Sequence, residues 1–298
     1  MEIAKVRQLE KAFGNPKPPS EIWQEPFDYT RGHCERIVKA GYDADPFDIS
    51  EYFLDYQFME VQRDLLIYVL PIALHSWAQN LFREEPTGHF QGMWQAFDRR
   101  PLYPAFLTAN QFEAVNRFMA DVLLERMSRE DSLVCRGSGA SAYVWMSEHG
   151  SMMYLLPLIE RVWKRWWTLE HDWQAICGLQ WWSGFLYDRN DSPIFGPYSN
   201  DYGGGNSIPF ATEHLEYRAA NAENTAYLRT VITLENAMIM ISRCCERLVS
   251  TRWETVANQF LSDLEIQSIN LEERLPNFFK RIEAADSWNK IFWKDITS

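Results

Sequence analysis

The chain has 298 residues, 46% hydrophobic and 15% aromatic, with thirteen Trp, which is enough apolar material for a substantial core or for two ordinary ones. Its formal net charge is −12 and both halves are acidic, which disfavours nucleic acid and anionic membrane surfaces as partners and favours a basic protein or a small cation. The start "MEIAKVRQLEKAF" lacks a signal-type apolar core, no run reaches the roughly 18 to 20 uninterrupted apolar residues of a membrane span, and five scattered Cys read as reduced thiols, so a cytoplasmic protein is expected.

The first predicted helix, Ile3 to Phe13, stops at "GNPKPPS", where one Gly and three Pro forbid regular structure. Asp48 followed by Glu51 reads as a capping pair for a helix running from Ile49 toward Pro71, with a kink or break expected just before that proline. Thr108 and Gln111 form a second capping box, and Phe112, Val115, Phe118, Met119, Val122 and Leu123 recur at the spacing of one helical face. "RGSGASAYVWMSEHG" at 136–150 reads as a Gly/Ser connector. It marks an expected division into an N-terminal helical half, 1–135, and a C-terminal Trp-rich half, 136–298, which could also form one continuous domain.

From Ser151 a helical pattern is predicted through "YLLPLIERVWKRWWTLEHDWQAICGLQWW", with Leu155, Ile159, Trp166, Trp173 and Cys177 on one face and Trp163 and Trp181 at its edge. Around 183–210 the periodicity disappears and a long irregular loop is expected. Thr212 is the predicted cap of a helix reaching Ser250, another helix follows from Trp253, and Asn270 with Glu273 and Pro276 predicts the start of the last. No stretch alternates with period two, so the fold class expected is all-α, a multi-helix bundle of kinked and long helices.

"YVLPIALHSW" at Tyr68–Trp77 and "YLLPLIERVW" at Tyr154–Trp163 share one pattern, yet the sequences around them do not align at the same offset, so the repeat reads as a packing device. The stretch from Tyr68 through Pro71 to Leu81, followed by Leu107, Thr108, Gln111, Ala114, Val115 and Phe118, resembles a family of small helical bacterial proteins known only as a domain of unknown function. The likeness spans residues 45–128. It implies a bacterial α-helical protein and brings no catalytic residues.

Six isolated His with no HExxH or HxH imply no metal site and no cofactor, and "RGSGAS" lacks the context of a phosphate loop. Asp48, Glu51 and Asp55 form an acidic stripe that suits a basic protein, or simply places acids near a helix N-terminus. Asp188, Asp191, Tyr198, Asp201 and Tyr202 give the 183–210 loop the composition of an adaptable recognition surface. The leading expectation is a non-catalytic cytosolic protein-binding module, of the kind that neutralises a toxin as an immunity protein. The alternative is an enzyme with a Trp-lined pocket, acting on a small cationic or planar ligand with Glu170 or His171 as acid or base. A self-associating structural protein is the third reading.

Overall fold

The computed structural model describes residues 3–27, 32–83, 90–133, 157–187, 192–194 and 222–294. The protein is all-α, and no strand occurs among the described residues. In chain order the helices are α1 (Ile3–Ala12), α2 (His33–Ala40), α3 (Pro46–Phe58), α4 (Arg63–Arg83), α5 (Gln91–Arg99), α6 (Ala109–Met127), α7 (Ile159–Trp166), α8 (Asp172–Leu186), α9 (Ala222–Val231), α10 (Leu234–Arg247) and α11 (Glu254–Lys294). Contacts divide the chain into two compact units, Met1–Val122 and Leu123–Ser298, the division falling inside α6. The expected boundary at 135/136 lies outside the described residues.

In the first unit α3 begins earlier than the sequence predicts. Its cap is Asp45, whose side chain accepts from the Phe47 N–H at 2.8 Å with Pro46 in the first turn, so Asp48 sits one turn inside. The chain then leaves the helix at Met59–Gln62, and α4 runs through Pro71 without stopping. Both findings correct the predicted helix that breaks before Pro71. An internal proline costs about 3 kcal/mol. Against it stand Val69, Leu70, Ile72, Ala73 and Leu74, all nearly inaccessible to solvent, each large aliphatic among them contributing about 1.5 to 3 kcal/mol by burial. By length and composition α4 could cross a membrane, but 72% of its apolar window is buried inside the fold, as in a core helix. The capping box of α6 is present as predicted: Gln111 Oε1 accepts from the Thr108 N–H at 2.9 Å, and Thr108 Oγ1 accepts from the Gln111 N–H at 3.3 Å.

In the second unit the predicted Trp-rich helix is two helices, α7 and α8. Leu169 takes the left-handed conformation (φ 53°) between them. Buried Gln174 holds the turn, its Oε1 accepting from the His171 N–H at 2.7 Å and its Nε2 donating to Arg165 O and Thr168 Oγ1, both at 2.8 Å. The region predicted as one helix to Ser250 contains α9 and α10, separated at Ile232 and Thr233, where Thr233 caps α10 by accepting from the Asn236 N–H. Thr212 lies outside the described residues. Conversely, α11 continues through Asn270 and Pro276, where a new start was predicted. Asn270 points its amide sideways to Leu186 O at 3.2 Å instead of capping, and Leu271, Leu275 and Phe278 are buried along α11.

Trp163, Trp166, Trp167, Trp181 and Trp182 pack ring against ring, with centroids 4.6 Å apart for Trp181–Trp182 and 5.0 Å for Trp166–Trp167. Phe185 joins Trp181 on one side and Phe278 of α11 on the other. The prolines of the two Tyr-x-Leu-Pro segments are placed differently: Pro71 lies within α4, whereas Pro157 lies in the turn before α7. Both trailing tryptophans, Trp77 and Trp163, are buried.

Candidate functional site

The start of α2 is set by Gly32, whose φ of 87° is a left-handed conformation that side-chain-bearing residues rarely adopt. That turn places His33 and Cys34 in the first helical turn, where both are buried. Helix α2 is fixed to α3 by a forked pair, Arg36 Nε donating to both Asp48 oxygens at 3.0 Å and Arg36 Nη2 to Oδ1 at 2.6 Å. Farther along α3, Asp55 faces the same side. His33 Nε2 lies 2.5 Å from Asp55 Oδ2, and Asp55 Oδ1 accepts from the Phe27 N–H at 2.8 Å. Donor atoms of His33, Cys34 and Asp55 all lie within 4.8 Å of one another.

The segment that supplies Phe27 is held by Gln62. Its Oε1 accepts from the N–H groups of Trp23 (2.8 Å) and Gln24 (3.2 Å), its Nε2 donates to Glu21 O at 2.7 Å, and its own N–H donates to Gln24 Oε1 at 2.9 Å. Between this segment and α2–α3 opens a cavity of about 660 Å³, lined by Gln24, Glu25, Phe27, Glu35 and the His33–Cys34–Asp55 cluster among others. Its size is that of a ligand pocket. Among the described lining residues are three carboxylates, Glu25, Glu35 and Asp55, and no Lys or Arg. Phe27, which lines the cavity, is about half exposed and stacks on Phe58 with centroids 4.2 Å apart. The Arg99 guanidinium covers the Phe58 ring at 4.2 Å.

Burial alone would lower the His33 pKa, but the hydrogen bonds it donates to Asp55 and Cys34 outweigh burial and raise the imidazole to about 10. At neutral pH His33 is therefore an imidazolium.

Of the predicted acidic stripe, Asp48 and Asp55 are buried and engaged within the fold, by Arg36 in the first case and by His33 and the Phe27 amide in the second, while Glu51 is half-buried. The loop residues Asp188, Asp191, Tyr198, Asp201 and Tyr202 lie outside the described residues. Glu170 and His171 are both exposed, in the turn between α7 and α8; His171 lines a shallow concavity of about 460 Å³ together with Trp173 and Trp253, apart from the Trp163–Trp166–Trp181 cluster, whose rings pack on one another. His33, Cys34, Gln62 and Phe27 were not singled out by sequence reasoning. The one available signal was the adjacency of His33 and Cys34 just after Gly32, but periodicity gives no sign that Asp55 returns to meet them.

Compared with models of known protein families, with curated proteins and with solved structures, the chain matches none of the three.

Proposed function

We propose that the protein is a non-catalytic binding module for a basic protein partner, and that it binds through the mouth of the 660 Å³ cavity rather than through a stripe on α3. The observation that carries this reading is the combination at one place of a lining that holds carboxylates and, among the described residues, no Lys or Arg, with the half-exposed Phe27. Exposed aromatic groups around a concavity suit the buried centre of an interface, and carboxylates at its edge speed association with a cationic surface. Glu25 and Glu35 are exposed and lie where a lysine or arginine side chain of a partner would enter. Neutralisation of a basic toxin, as by an immunity protein, is the biological form of this reading.

The test is capture from native lysate by the tagged chain and by Glu25→Lys/Glu35→Lys, followed by calorimetry on the partner. A stoichiometric basic protein is expected with the parent chain and a loss of tenfold or more in affinity with the variant. Equal affinity for both would contradict the reading.

Self-association has one observation in its favour: Ile266 and Ile269 are 71% and 64% exposed on α11. If that face pairs with another copy, the mass in solution exceeds 35.1 kDa and Ile266→Glu/Ile269→Glu returns it to that value.

A further inference from the structure

We infer that His33, Cys34 and Asp55 form a binding centre for a single zinc-class divalent ion at the base of the cavity. The three residues offer an imidazole nitrogen, a thiol sulfur and a carboxylate oxygen, the donor types that zinc takes in proteins, and their donor atoms already lie within 4.8 Å of one another. Around a tetrahedral ion with metal–ligand distances of about 2.0 to 2.3 Å, neighbouring nitrogen and oxygen donors stand roughly 3.4 Å apart. The His33–Asp55 separation of 2.5 Å must therefore open by roughly 1 Å.

The surroundings are those of a held ligand set. The Phe27 N–H fixes Asp55 Oδ1 and leaves Oδ2 as the metal-facing oxygen, an outer contact of the kind that orients a ligating carboxylate. Both helices that carry the donors are locked together by the Arg36–Asp48 fork, so binding requires the His33–Asp55 pair to open but no rearrangement of the helices. All three donors are buried, and all three line the cavity, which supplies a side for a fourth ligand. Three protein ligands with one position left open is the arrangement of an accessible rather than a purely structural zinc site.

The inference does not rest on the partner-binding reading, because uptake is measured on the isolated chain. The experiment uses the full chain in a Cys135→Ser background, stripped by chelator and titrated with Zn²⁺ by calorimetry and with Co²⁺ by absorbance, while circular dichroism monitors the fold. Expected are one Zn²⁺ per chain, a thiolate-to-cobalt charge-transfer band, and loss of that band with at least tenfold weaker binding in Cys34→Ser. Absence of saturable uptake by the folded protein overturns the proposal, as does unchanged affinity in a folded Cys34→Ser. If Cys34→Ser does not fold, the band in the parent protein decides: Cys177, Cys244 and Cys245 are buried in the second unit, so its presence supports a Cys34 ligand and its absence overturns one.

Discussion

Gln62 carries more of the site than any residue that touches it from the outside. One buried side-chain amide accepts from two backbone N–H groups and donates to a third residue's carbonyl, so Gln62→Ala strands several buried polar groups at once. A destabilisation of about 2 to 4 kcal/mol is expected, read from the urea midpoint at constant slope. A loss under about 0.5 kcal/mol would mean that the segment 21–27 is held by other contacts. His75 gives the pH dependence of the same unit. Burial lowers its pKa, against the pull of Asp43 and Glu10, and its ring also faces Tyr42, Arg7, Gln79 and Arg83 around a cavity of about 420 Å³. The native imidazole stays neutral while the unfolded one takes a proton below its ordinary 6.5, so the unfolded state binds more protons there. Stability should fall as pH drops below 6.5, and less steeply in His75→Gln; equal slopes in the two proteins would contradict the assignment. Neither role was legible in the sequence, because Gln and His at those positions carry no periodic or spacing signal. Their importance is set by long-range partners 30 to 40 residues away, such as Trp23 and Gln24 for Gln62 and Tyr42 for His75.

At the scale of elements, local chemistry read well and its continuation read poorly. The capping box at Thr108 and Gln111 is in the structure because both halves of it lie within four residues. The breaks at Leu169 and at Ile232–Thr233 escaped prediction because helical periodicity carries on across them and the stop is made by side chains such as Gln174 reaching backward. Prolines misled in the opposite direction: Pro71 sits inside α4 among buried neighbours, and Pro276 sits on an exposed face of α11 with Leu275 and Phe278 buried beside it. The close approach of α8 and α10 gives a sharp expectation. A Cβ on Gly178 would lie 2.7 Å from Cys244 Sγ and 3.0 Å from the Trp167 ring, and neither neighbour has room in a packed core. Gly178→Ala should cost about 1 to 3 kcal/mol, visible as a lowered thermal midpoint of the second unit. An unchanged midpoint would show that the two helices are less tightly apposed.

On the scale of the molecule, the aromatic wealth that drew attention in the sequence belongs to the core, whereas the chemistry gathers elsewhere. Trp163, Trp166, Trp181 and Trp182 pack on one another, while the His33–Cys34–Asp55 cluster and its cavity lie in the first unit, between 22 and 55. The all-α class was legible because amphipathic periodicity is a short-range property. The cavity was not, since it is made by an aperiodic segment, a glycine turn and one face of α3 meeting across separations of 20 to 40 residues. The account stands or falls on that cavity being the place of recognition. Hydrogen–deuterium exchange of the full chain with and without its captured partner tests it most directly: the account predicts new protection at the amides of residues 22–27 and 32–35. Protection confined to the second unit, with those amides unchanged, would contradict it.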